Sequence, residues 1–151
     1  MELIVRRGRL SDIPDLVKML EDLFSIEADF QFDQARQEAG LSMIIDSESD
    51  ERIILVAESE GELIGMCSAQ TLISTAEGAR AAMVEDMIVS KRYRGQGIGK
   101  MIMDEIVEWA KRTGKTRLQL LADRNNTRAL WFYNKNGWEN TRLICLRKKK
   151  I

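Results

Sequence analysis

The chain has 151 residues, of which 44% are hydrophobic and 31% charged, with 23 basic residues against 24 acidic ones for a net charge of -1. That composition suits a packed globular domain and sets up no global field for nucleic acid or an anionic membrane, and no segment approaches the roughly 18 apolar residues of a membrane span. Histidine is absent, which excludes His-dependent triads and leaves acid–base work to Glu, Asp, Tyr, Lys, Cys or water.

Leu3-Ile4-Val5 predicts a short strand. Ser11 offers its hydroxyl as a cap to a helix with Pro14 in the first turn, striped by Ile13, Leu16, Val17, Leu20, Leu23 and Phe24. Asp33 to Ile45 reads as a second helix, interrupted by Gly40. After a polar stretch, Ile53 to Ala57 reads as a buried strand, and Glu60-Gly61 turns it into Leu63 to Met66 as a hairpin. A connection from Ser74 to Arg80 leads to a strand from Ala82 to Val89, so three consecutive antiparallel strands are expected.

A basic, Gly-rich loop then enters a helix with Ile98, Met101, Ile102, Ile106, Trp109 and Ala110 on one face, closed by Gly114. Leu118 to Leu121 reads as the next strand, and a strand-helix-strand unit predicts right-handed parallel pairing. Asn125 or Asn126 caps a further helix carrying Ala129, Leu130, Phe132 and Tyr133, and Trp138 to Leu146 reads as a final strand. Residues 1–151 form one expected domain without repeat or linker. The basic run Arg147 to Lys150 is expected to be a solvated tail. Cys67 and Cys145 are far apart without a CxxC spacing, each flanked by strand-like residues, so both are expected as buried free thiols, and with no histidine a zinc site is not expected.

Glycines at 95, 97 and 99 between a strand and a helix present backbone N–H groups and a helix dipole to an anion, and Arg92, Arg94 and Lys100 add charge nearby. A pyrophosphate suits that arrangement, as does a helix start that needs only flexible glycine. A Rossmann site would carry its glycines after the first strand, and a P-loop would follow Gly99-Lys100 with Ser or Thr, where this chain has Met101.

The sequence resembles the Gcn5-related N-acetyltransferase superfamily, whose central motif is Gln/Arg-x-x-Gly-x-Gly/Ala. Arg94, Gly97 and Gly99 match it. Upstream, Val84-Glu85-Asp86-Met87-Ile88-Val89 is similar to the strand before that loop. Downstream, Asn126 to Trp138 is similar to the family pattern Asn-x-x-Ala-x-x-x-Tyr-x-x-x-Gly-Phe, with Trp138 for Phe. The resemblance implies an α+β or α/β fold: a mixed, mostly antiparallel central sheet splayed in a V and flanked by about four helices.

It further implies acetyl-CoA as cosubstrate, with backbone amides of Met87, Ile88 and Val89 pairing to its pantetheine arm. Arg94, Gly95, Gln96, Gly97, Ile98, Gly99 and Lys100 would hold the pyrophosphate, and Asn126 would contact the cofactor. Tyr133 matches the family tyrosine assigned as general acid, and a phenol of pKa about 10 suits a departing thiolate. Glu85 and Asp86 occupy consecutive strand positions, whose side chains point to opposite faces, so only one can face the acetyl group. Glu85 is the preferred base and Asp86 the other candidate; each also reads as an ordinary surface carboxylate.

Glu27, Asp29 and Asp33 interleave with Phe24, Phe30 and Phe32 where the family builds acceptor pockets, so Glu27, Asp29, Phe30 and Asp33 are candidates for binding a cationic amine. The expected activity is acetyl transfer to a primary amine of a small molecule or peptide by direct attack in a ternary complex. The alternatives are a non-catalytic acyl-CoA sensor and a different acyl group. No metal, nucleic acid or membrane partner is expected; a homodimer and a cytoplasmic location are.

Overall fold

The computed structural model describes residues 2–27, 29–47 and 49–151. They fall into two compact units, Met1–Leu120 and Leu121–Ile151. The first holds β1 (Leu3–Arg7), α1 (Ile13–Ile26), α2 (Gln34–Ile45), β2 (Arg52–Ser59), β3 (Glu62–Ser74), β4 (Ala79–Val89), α3 (Ile98–Arg112) and β5 (Lys115–Leu120); the second holds α4 (Thr127–Lys135). The strands form one mixed sheet in the order β1-β2-β3-β4-β5, antiparallel throughout except for the parallel β4–β5 pair. This is the mixed, mostly antiparallel sheet that the sequence implies.

Local chemistry explains most of the element boundaries. Glu60 and Gly61, at φ 51° and 81°, both take the positive φ that a type I′ hairpin needs. Asp33, rather than a hydrophobic residue, starts α2 because its carboxylate accepts the Arg36 amide. At the start of α1 the expected Ser11 cap is replaced by Asp12, whose carboxylate accepts the Arg9 amide at 2.7 Å across a short 3₁₀ turn. Arg6 grips the same carboxylate with both terminal nitrogens, at 2.8 and 2.9 Å, and donates Nε to Glu58 at 3.0 Å. One guanidinium thereby joins β1, β2 and the entrance to α1, and its hydrogen bonds hold the Asp12 carboxyl below the usual carboxylate range despite partial burial.

The two faces of the sheet are covered by different helices. Leu16, Val17, Met19, Leu20 and Leu23 of α1 and Leu41 of α2 pack with Ile54, Val56, Leu63, Met66 and Ile88. Strand alternation puts Ala57 and Gly65 on the opposite face, where α3 lies. A Cβ at Gly65 would come within 2.8 Å of Ile102 Cδ1 and 3.3 Å of the Ile88 carbonyl, so the absent side chain lets α3 seat directly on β3. Gly65→Val is expected to lower unfolding free energy by roughly 1–3 kcal/mol, read as an earlier urea midpoint; an unmoved midpoint would mean the helix has slack there.

The buried stripe of α3 is Ile98, Ile102, Met103, Ile106, Trp109 and Ala110. Met101, expected on that face, is 41% exposed, and Met103 takes its place because the helix buries the side adjoining Ile102 and Ile106. The final strand expected over 138–146 does not form: residues 138–151 adopt neither strand nor helix among the described residues. Leu143, Ile144 and Leu146 are largely exposed, and Cys145, expected to be buried, is exposed with them because the run forms no strand; β-favouring residues alone do not make one. No helix of the described residues is long and apolar enough to cross a membrane.

Candidate active site

The ladder between β3 and β4 is interrupted near its middle. Met66 pairs with Ile88 and Ser68 with Glu85, so Cys67 on β3 stands opposite both Asp86 and Met87 on β4. This two-against-one count is a β-bulge, a device that re-aims side chains and frees backbone groups. Asp86 absorbs it at φ 54°, a left-handed conformation that aspartate tolerates better than most residues but that still costs about 1 kcal/mol or more. The simple alternation expected for Glu85 and Asp86 therefore fails at this point. Glu85 is exposed, whereas Asp86 is partly buried and 3.0 Å from the Ser68 hydroxyl.

Burial is the main influence on the Asp86 carboxyl. Desolvation, helped by the negative charge of Glu85 and opposed by the Ser68 hydrogen bond, pushes its pKa up from 3.8 to about 6. Across the bulge, the buried Cys67 is held as a thiol by desolvation and by the Asp86 charge. A carboxylate with a pKa near neutrality is suited to accept a proton at working pH, and a buried thiol whose pKa is raised is not suited to act as a nucleophile.

On its other edge, β4 pairs with β5 only from Arg80 opposite Lys115 to Val84 opposite Leu120. Residues 85 to 89 run on with no strand of the described residues registered against that side. Beyond them, the Arg94 Nε donates to the Val89 carbonyl at 2.8 Å and ties the following loop to the end of the strand. Gly95 and Gly97 both take positive φ, 77° and 82°, and a Cβ built on either would meet nothing within 4 Å. Gly97 is the N-cap of α3 and makes no side-chain cap, so the first-turn amides of Ile98, Gly99 and Lys100 donate to no capping side chain there. Such a start fits a diphosphate. Lys100 is ion-paired with Asp104 at 2.7 Å on the exposed side, and Gln96 donates to the Arg92 carbonyl at 3.4 Å.

The model of the Acetyltransferase (GNAT) family matches residues 16–138, most of the chain. The chain belongs to this family. An uncharacterized N-acetyltransferase of Bacillus subtilis, YhfO, is 27% identical over 138 residues, 89% of each chain. A possible acetyltransferase of Clostridium difficile superposes with a TM-score of 0.85 over 100% of this chain and 99% of its own, at 14% identity. A predicted acetyltransferase of Clostridium acetobutylicum, solved with acetyl-CoA, gives 0.79 over 97% and 96% at 18% identity. These two likenesses are of fold.

The remaining GNAT-motif residues lie in the second unit. There Asn126 Oδ1 accepts the Ala129 amide at 3.2 Å and caps α4, so this residue has a structural duty of its own. Tyr133 makes edge contacts with Phe132 and Trp138, and the Trp138 amide donates to the Tyr133 carbonyl at 3.0 Å. The Trp that replaces the family Phe thus packs on the motif tyrosine.

In the first unit, Phe24 and Phe30 stack with centroids 5.3 Å apart, and the Phe30 amide donates to the Glu27 carbonyl. Glu27 closes α1, Asp33 caps α2, and Asp29 is exposed between them. These candidates for an acceptor site thus lie along the α1–α2 connection. Among the described residues no group of three or more His, Cys, Asp or Glu could hold a metal ion. Two features of the site have no counterpart in the motif: the bulge itself and Ser68. A Ser directly after a buried Cys in a strand was the only sequence trace of either.

Proposed function

We propose that this GNAT protein is a cytoplasmic acetyl-CoA-dependent N-acetyltransferase that acylates a primary amine by direct attack, with Asp86 as the proton acceptor. The observation that carries the reading is the position of Asp86: a partly buried carboxylate at a bulge, on a strand whose β5-side edge is unpaired beyond Val84 and which leads into a glycine-lined helix start. The acetyl-CoA in the Clostridium acetobutylicum structure supports the choice of carrier.

Bound acetyl-CoA supplies an acetyl group activated as a thioester. The unpaired edge of Met87 to Val89 offers backbone groups to the pantetheine amides, and the amides of Ile98 to Lys100 offer donors to the diphosphate. Asp86 takes the proton that the nitrogen sheds as its bond to the acyl carbon forms. Glu85 is the less suited base because its side chain is exposed on the same strand rather than held at the bulge. Tyr133, the match to the family acid, is assigned the proton for the leaving thiolate; Tyr133→Phe is expected to lower kcat roughly 100-fold with affinity for acetyl-CoA retained.

Titration calorimetry with acetyl-CoA, followed by thiol release over a panel of polyamines, aminoglycosides, amino acids and peptides, tests the reading. Micromolar to millimolar binding with turnover on at least one amine class is expected. Failure to bind at millimolar carrier overturns it, and binding without turnover on any amine points to an acyl-CoA sensor instead.

A further inference from the structure

We propose that Ser68 is a positioning residue that keeps Asp86 aimed in both of its protonation states by reversing the direction of one hydrogen bond. The proposal rests on the assignment of Asp86 as base. Ser68 is 1% exposed and cannot draw on bulk water. Its Oγ lies 3.0 Å from Asp86 Oδ2 and 3.2 Å from the Glu85 carbonyl oxygen. A hydroxyl has a single proton to give, so it serves one of these acceptors at a time, and it also has lone pairs with which to accept.

With Asp86 ionised, the Ser68 hydroxyl donates to Oδ2. Once Asp86 holds a proton, its own O–H can donate to Ser68 Oγ, and the serine proton turns to the Glu85 carbonyl. No bond to a heavy atom is made or broken, and the only motion is rotation of one hydroxyl. Without the Glu85 carbonyl, the protonated state would leave the serine proton buried and unpaired, a costly arrangement. The bulge brings the three groups together, since a regular ladder would set the Asp86 side chain on the face opposite its neighbour's.

Two titratable groups bear on Asp86 here: Glu85 beside it on β4 and Cys67 across the bulge on β3. Glu85 disfavours its ionised form, Cys67 stays an uncharged thiol, and Ser68 is the group that favours ionisation. Removing the hydroxyl should therefore raise the Asp86 pKa.

The test measures the Asp86 carboxyl titration by carbon-detected NMR in the whole protein, without turnover, alongside the pH profile of kcat/KM. In Ser68→Ala the titration and the acidic limb of the profile are expected to move up together by roughly one pH unit. Ser68→Thr, which keeps a hydroxyl, is expected to return both toward the wild-type values. A titration in Ser68→Ala that coincides with wild type in folded protein, or a Thr variant displaced as far as the Ala variant, overturns the positioning role. Full activity in Asp86→Asn would sink the base assignment instead, and it is read in a different protein.

Discussion

Replacing Asp86 with asparagine is expected to cut acetyl transfer by about 100- to 10,000-fold with the dissociation constant for acetyl-CoA unchanged. Asparagine is the informative choice because it keeps the shape of the side chain, tolerates the left-handed backbone at φ 54° and can still accept from the Ser68 hydroxyl. The negative charge is lost, and with it the capacity to take a proton. In the wild type, kcat/KM should rise with pH through about 6 as Asp86 ionises, and that limb should vanish in the variant.

Stability moves the other way. Because the folded pKa is raised, the folded chain holds a proton between pH 3.8 and about 6 that the unfolded chain has released; this contribution is fullest at low pH and lost as pH rises through 6. Asp86→Asn carries no charge to desolvate, so at pH 7 to 8 its urea midpoint should equal or exceed that of wild type. An inactive variant that is also unstable would point to a fold defect, and an active one would remove Asp86 from the chemistry.

Gly97→Trp is expected to weaken acetyl-CoA binding on the order of 100-fold or more, equivalent to losing two or more hydrogen bonds from backbone amides to a charged diphosphate. A Cβ at Gly97 meets nothing within 4 Å, so the side chain leaves the backbone without a clash. The variant should fold, at a cost of about 1–2 kcal/mol for an L-residue at φ 82°. The indole would then occupy the space before the first turn of α3. Gly97→Ala bears the same backbone cost without filling that space, so its smaller loss of affinity separates strain from occlusion. Calorimetry on both variants decides the matter: wild-type affinity in the tryptophan variant would place the diphosphate elsewhere.

Local patterns in the sequence carried much of this architecture. The run Ile53 to Ala57, the Glu60-Gly61 turn, the stripe of α1 and the glycine-lined start of α3 each follow from the chemistry of a few adjacent residues, and each forms as expected. The family motif located the loop between β4 and α3 for the same reason. The bulge at Asp86 was out of reach because it belongs to the register of β3 against β4, set by residues some 18 positions apart, and alternation within one strand gave the wrong geometry. Ser68 was hidden with it. The expected strand over 138–146 failed for a related reason: Leu143 and Ile144 favour extended backbone, but a strand needs a neighbour, and propensity does not supply one.

Cys67 lies sealed at the bulge while Cys145 stands in solvent. A chromogenic disulfide or a maleimide, the usual means of following released coenzyme A, will consume Cys145 first and register a false burst of product. Substituting that residue with serine clears the background and leaves one shielded thiol beside the proposed base. Its alkylation then clocks how often β3 and β4 part company around Asp86, and slowing of that clock by acetyl-CoA gives a measure of occupancy that needs no acceptor amine.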